Sequence, residues 1–141
     1  MNIILLGMNI VLLDTNIISF LLKKDSRAKD YEVDLQDKIL TISVMTVAEL
    51  FQWAKVRQWG ARRVSQLEKL LADDYITLTI DIETCRLWGD VRAHCRSVGR
   101  PISAQDAWIA ATALQYHLPL VTHNPADFEA IKELKIITTL H

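Results

Sequence analysis

Four apolar residues in a row, Ile10-Val11-Leu12-Leu13, stop abruptly at Asp14, and Thr15 and Asn16 follow. A run this short, uniformly apolar and sharply bounded, predicts a strand buried on both faces, as in a parallel sheet. In open α/β sheets, ligands gather beyond the carboxyl ends of the strands. Asp14 therefore stands where such a fold does its work. The remaining chain is read for other carboxylates that could join it.

The other apolar stretches alternate between strand and helix periods. Residues 15–22 predict a short helix, and residues 28–37, polar and mixed in charge, a solvated one. Residues 39–43 (ILTIS) predict a second strand. Thr46 with Glu49 three residues on has the form of a capping box, opening a helix that Gly60 stops. A further helix is expected over residues 62–73, a strand over 76–80 (ITLTI), and a long helix over 82–98 that ends at Gly99. Ser103 and Asp106 open another helix, apolar almost all round (AWIAATAL) and hence buried. A strand at 119–122, a short helix at 125–131 and a strand at 136–140 complete the chain. Alternation of this kind implies a mainly parallel sheet with helices on both faces.

At 141 residues, half of them hydrophobic, the chain suffices for one domain with a real core. A net charge of −1 gives no global attraction to polyanions, so any such binding must come from local patches or bound cations. Cys85 and Cys95, ten residues apart on one expected helix, are separated by roughly 15 Å along its axis, too far for a disulfide. They read as reduced thiols of a cytoplasmic protein. Residues 1–22 contain no Lys or Arg and carry Asp14, unlike a signal peptide or membrane span. MNIILLG nearly repeats as MNIVLLD, so Met8 could open the functional chain and leave residues 1–7 as an extension.

Three acids share one kind of position: Asp14 ends a strand, while Glu49 and Asp106 sit in the first turns of helices. Each also has a plain structural explanation. Glu49 and Asp106 suit helix N-termini, and Asp14 suits a cap for the helix that follows it. Gathered in a partly apolar place, however, carboxylates repel and raise one another's pKa, which a divalent cation relieves. An all-oxygen donor set favours Mg²⁺ or Mn²⁺ over zinc. His94, His117, His123 and His141 are scattered without zinc-ligand spacing. Acids around such an ion serve phosphoryl chemistry, where the ion activates water and offsets charge on the phosphate.

Four segments together resemble the PIN domain, specifically the VapC-like toxin ribonucleases: VLLDTNIISFLL (11–22), TISVMTVAEL (41–50), GRPISAQDAWIAATAL (99–114) and LVTHNPADF (120–128). They occur in the family's order over nearly the whole chain. The resemblance implies a three-layer α/β/α sandwich and Mg²⁺- or Mn²⁺-dependent endoribonuclease activity. It implies Asp14, Glu49 and Asp106 as catalytic and metal-holding acids. The fourth family position, often an acid, is Asn124, which offers a carbonyl but no charge, with Asp127 close behind. Thr15, Asn16 and Thr122 would be supporting polar groups, and His123 stands where a basic residue is common. A cognate antitoxin and a homodimer are the partners implied. The other reading of the same scaffold is a catalytically weakened module that binds protein or RNA.

Basic residues cluster in two stretches. Lys55, Arg57, Arg62, Arg63 and Lys69 surround Trp59, while Arg86, Arg92, Arg96 and Arg100 surround Trp88. Cations interleaved with aromatics can follow an RNA backbone and stack unpaired bases. They can equally be a solvated helix face over core tryptophans. Arg62, Arg63, Arg96, Arg100 and His123 are the expected RNA contacts. An aspartyl-phosphate enzyme is a rival, but its pattern needs a second Asp at the position of Asn16.

Overall fold

A computed structural model describes residues 9–140. The expected extension over residues 1–7 lies outside them. Five strands form one sheet: β1 (Ile10–Leu13), β2 (Ile39–Ser43), β3 (Ile76–Leu78), β4 (Leu120–Val121) and β5 (Ile136–Ile137). Their order is β3-β2-β1-β4-β5 and every pairing is parallel. The helices are α1 (Thr15–Lys23), α2 (Glu32–Leu35), α3 (Val44–Val56), α4 (Ala61–Asp74), α5 (Ile82–Ser97) and α6 (Ala104–Gln115).

Alternation along β1 divides the core in two. Leu12 and Leu120 face α5 and α6, in a cluster with Val91, Cys95, Ile109 and Ala110. Val11, Leu13 and Val121 face α1, α3 and α4, in a cluster with Ile17, Ile18, Leu50, Leu67 and Leu71. Two apolar layers on opposite faces of one sheet make the three-layer α/β/α sandwich expected. β1 is buried along its whole length, as its unbroken apolar run requires.

The connections decide where a ligand can sit. From β1 the chain builds outward through β2 to β3. It then crosses by way of α5 and α6 to β4, on the other side of β1, and builds outward to β5. The reversal leaves a crevice beyond the ends of β1 and β4, the switch point of a doubly wound sheet.

Local differences from the sequence reading have physical causes. Helix α3 begins at Val44, two residues before Thr46, because Ser43 caps it: the Thr46 N–H donates to Ser43 Oγ at 3.1 Å. Thr46 and Glu49 are thus inside the helix, and the expected capping box does not form. Helix α3 ends at Val56, where Gln58 takes the left-handed conformation (φ 55°). Gly60 is the N-cap of α4 instead. The expected solvated helix at 28–37 is a 3₁₀ segment, Ser26–Tyr31, followed by the single turn α2. Tyr31 drives this difference, being fully buried in the layer with α1. The short helix after β4 is a 3₁₀ turn, Pro125–Phe128, and β3 and β5 are shorter than expected. Gly99 (φ 72°) closes α5 as predicted.

Candidate active site

A cleft of about 350 Å³ opens at the switch point, and Asp14, Glu49, Asp106, Asn124 and Asp127 all line it. Residues as far as 113 positions apart in the chain, Asp14 and Asp127, thus meet at one place. Asp14 is brought there by β1, Glu49 by the second turn of α3, and Asp106 by the first turn of α6. Asn124 and Asp127 come from the turn after β4.

Asp14 is held on both oxygens. Its Oδ1 accepts from the Thr15 N–H at 2.7 Å and its Oδ2 from the Thr122 hydroxyl at 2.7 Å. The first bond makes it the N-cap of α1. Both expected supporting threonines are therefore in contact with the acid or its neighbour. Asn16 Oδ1 accepts from the His123 N–H at 3.3 Å, fastening the end of β4 to α1.

Glu49 ends a chain of hydroxyls. The Thr15 hydroxyl donates to Glu49 Oε1 at 3.0 Å and lies 2.9 Å from Thr46 Oγ1. Thr15 has one hydroxyl proton, given to Glu49, so Thr46 must donate to Thr15. Ser43 in turn donates to Thr46 Oγ1 at 3.3 Å. The order Ser43, Thr46, Thr15, Glu49 points every O–H toward the carboxylate, the arrangement in which each bond strengthens the next. No buried side-chain polar atom among the described residues is left without a partner.

The acids sense one another. Burial pushes the Asp14 carboxyl up from 3.8 to about 6, against the pull of its bonds from Thr122 and Thr15, and the charges of Asp106 and Glu49 push it the same way. Glu49 is raised by burial, opposed by its bond from Thr15, with the Asp106 charge adding to the rise. Asp106 is raised by burial and then by the charge of Asp127, while Ser103 lowers it. No acid of the cleft is in an ion pair among the described residues.

An excess of crowded carboxylates at a dry strand end suits a hard divalent cation. Among the described residues no three His, Cys, Asp or Glu groups already form a tight cage. Mg²⁺ does not need one, since it keeps several waters and takes one or two carboxylates. Asp14 and Asp106, with Glu49 in the same cleft, are the carboxylates that could hold such an ion. The Asn124 side chain makes no cap bond to the 3₁₀ turn that follows it, and the residue lines the cleft.

Four cleft residues, taken singly, carry no distinguishing signal in the sequence. Ser19, Phe20, Lys23 and Trp53 line it too. Asn16, Ser19 and Lys23 recur at spacings of three and four along an otherwise apolar α1, a polar stripe that marks one face. Trp53 follows Glu49 by four residues, on the same face of α3.

The expected RNA contacts divide. Arg63 borders a cavity that adjoins the cleft. Arg100 borders another, shared with Asp106 and Asp127, but is paired with Glu129 at 3.0 Å. Arg62 and Arg96 are exposed and line none of these spaces. His123 does not line the cleft. Its Nδ1 lies 2.7 Å from the Tyr31 hydroxyl and its ring packs edge-on against Phe20. The ring is thus turned toward the core side of α1.

Comparison with known proteins gives a consistent result. The model of the PIN domain matches residues 11–134. "Ribonuclease VapC1" of Haemophilus influenzae strain R2866 is 33% identical over 128 residues, covering 89% of this chain and 95% of that protein. Among solved structures, VapBC-1 from nontypeable Haemophilus influenzae is similar with a TM-score of 0.78 at 30% identity, covering 92% of this chain and 97% of that one. VapBC-5 of Mycobacterium tuberculosis, described as a member of the VapBC family of toxin-antitoxin systems, has a TM-score of 0.66 at 28% identity, with 92% and 98% covered.

Proposed function

Because this chain belongs to the PIN domain family, we propose that it is a metal-dependent endoribonuclease, the toxin half of a toxin–antitoxin pair. The observation that carries this reading is the convergence of Asp14, Glu49 and Asp106 on one cleft, with no basic partner bound to any of them among the described residues. Asp14 and Asp106 would hold Mg²⁺ or Mn²⁺, with Glu49 beside them and Asn124 or Asp127 able to complete the set. Such an ion, when bound, supplies an activated water and offsets charge developing on the phosphate.

The chain's own groups prepare that step. The bonds from Thr15 and Thr122 fix the Asp14 carboxylate in one orientation, so no reorganisation is needed during reaction. The hydroxyl chain does the same for Glu49 and keeps electron density on its oxygen tempered. Lys23, the only basic residue among the described residues lining the cleft, draws a phosphodiester toward otherwise repelling walls.

On this reading the substrate is RNA, the setting is the cytoplasm and the protein partner is a cognate antitoxin. The exposed apolar side chains Val44, Ile80 and Ile82 offer a face for a second copy of the chain, which sedimentation would reveal. Purified protein with Mg²⁺ or Mn²⁺ should cut within RNA chains drawn from transfer, messenger and ribosomal classes. Asp14→Asn or excess EDTA should abolish the cut. Full activity in either would sink the proposal, and RNA binding without any cleavage would favour the weakened binding module.

A further inference from the structure

The acidic cleft continues past Trp53. A second cavity of about 300 Å³ shares Lys23 and Trp53 with it and extends along Trp59, Arg63, Leu67 and Leu70. Among the described residues no acid lines this extension. Its cations rest on indole rings. Lys23 Nζ lies 4.6 Å from the centre of the Trp53 ring, and Arg57, which does not line the cavity, places its guanidinium 4.5 Å from the same ring. The Arg63 guanidinium lies 3.9 Å from the Trp59 ring. None of the three is in an ion pair among the described residues, whereas Arg27, Lys69, Arg86 and Arg100 each have an acidic partner.

A cation packed on an indole is oriented but not neutralised. Its N–H groups still point outward, and a guanidinium plane has a second face open to a base. The tryptophans of the groove are half-buried, with part of each surface exposed to solvent. The second basic stretch has one longer contact of this kind, Arg92 at 5.4 Å from the Trp88 ring, but that ring is already engaged. Trp88 stacks on Trp108 at 5.2 Å and donates to the Ala104 carbonyl at 3.1 Å, so its ring serves packing there.

We propose that the groove of Lys23, Trp53, Trp59 and Arg63 holds the unpaired RNA segment next to the scissile phosphate, with its phosphates on the cations and its bases on the aromatic and guanidinium planes. The occupant follows from the lining: positive charge without counter-charge selects a polyanion, and flat faces select exposed bases. A duplex conceals those bases, so the segment is single-stranded. Continuity through Lys23 and Trp53 makes it the flank of the strand whose phosphate reaches Asp14. The proposal rests on the ribonuclease reading above and assigns the residues that set how the strand is placed.

The test uses the full chain with Mg²⁺ and two RNA oligonucleotides with the same cut site, one long and unstructured, one trimmed close to the scissile bond. Trp59→Ala and Arg63→Ala lie outside the acidic cleft. Trp59→Ala should raise KM for the long oligonucleotide on the order of 5- to 100-fold, the range for losing one stacked base. Cleavage of the short one should be unchanged, and Trp59→Phe should restore the long one. In binding measured by anisotropy on Asp106→Asn protein, Arg63→Ala should lower the slope of log K against log salt by about 0.7, one phosphate contact on a single strand. If Trp59→Ala does not fold, Arg63→Glu, at an exposed position, must show the same selective loss.

Variants that fold and keep wild-type KM on both oligonucleotides, with an unchanged salt slope, overturn the proposal. So does the finding that they lose only the binding of an inhibitory protein, which would make the groove a protein-docking face. A wild type that binds RNA with this salt dependence yet cuts neither oligonucleotide would instead refute the ribonuclease reading and leave the groove standing.

Discussion

Asp14→Asn should make the metal-free protein more stable at neutral pH. Asp14 is 5% exposed, and its carboxyl is raised from 3.8 to about 6 in the folded state. At about 1.4 kcal/mol per pH unit, holding this charge costs roughly 3 kcal/mol once pH lies well above 6. The sign follows from proton counting. Between about pH 4 and 6 the folded state binds more protons than the unfolded one, so stability falls as pH rises through that window and then levels off. Asn removes the charge but supplies one acceptor oxygen where Asp supplies two. One of the bonds from Thr15 and Thr122 is lost or reversed, at about 1 kcal/mol. The variant should therefore gain about 2 kcal/mol at pH 8 and lose about 1 kcal/mol near pH 4. Urea denaturation in EDTA across that range measures it, and the difference between variant and wild type cancels the other titrating groups. A difference that does not change with pH, or a variant less stable at pH 8, would falsify the account of Asp14 as an uncompensated buried charge.

Three further outcomes follow from the same geometry. Saturating Mg²⁺ should raise the melting temperature of the wild type but not of Asp14→Asn; a ligand at 100 times its Kd adds about 2.7 kcal/mol, and equal shifts in both proteins would place the ion elsewhere. Asp106→Asn should reduce RNA cleavage by a factor of about 100 or more while leaving the fold intact, read by single-turnover kinetics and circular dichroism. Thr46→Val keeps the shape of a fully buried side chain but removes the middle of the hydroxyl chain. It should cost about 1–3 kcal/mol in denaturation experiments. It should also weaken Mg²⁺ binding measured by calorimetry, and an unchanged affinity would mean the chain to Glu49 serves only packing.

How much of this was legible depended on the range of the forces involved. β1 and α6 were readable because burial on all sides leaves a continuous apolar run, a local signal. Asp14, Glu49 and Asp106 were readable as candidates because each occupies an end of such an element. Tyr31 was not, since a single aromatic in a polar stretch gives no period, and its burial comes from contact with α1 and with His123 across 92 positions. The start of α3 was misjudged because Ser43 and Thr46 are both good caps. Pairing of Ser43 with β3 through the register Ser43↔Leu78 is what decides that the strand runs up to it and the helix begins there. Trp53 and Lys23 were hidden for another reason: their role appears only when α1 and α3 are placed side by side.

Capping accounts for part of what Asp14 does, and the same molecule shows that it cannot account for all. Four α-helices here are capped by side chains at strand or loop ends: α1 by Asp14, α3 by Ser43, α5 by the exposed Asp81 and α6 by Ser103. Ser43 is as deeply buried as Asp14 and provides an equivalent bond without charge. A neutral cap was therefore sufficient at this kind of position, and serine or asparagine is as good a cap as aspartate. The charge at Asp14 lowers stability by burial and by repulsion from Asp106 and Glu49. Glu49 strengthens the point, because the start of α3 at Val44 removes the capping box that would have explained it. Two acids that the fold does not need, and that oppose each other, are held in fixed orientation by four hydroxyl groups from Thr122, Thr15, Thr46 and Ser43. Hydrogen bonds that orient an unfavourable charge instead of dispersing it are what a pre-formed cation and phosphate site requires.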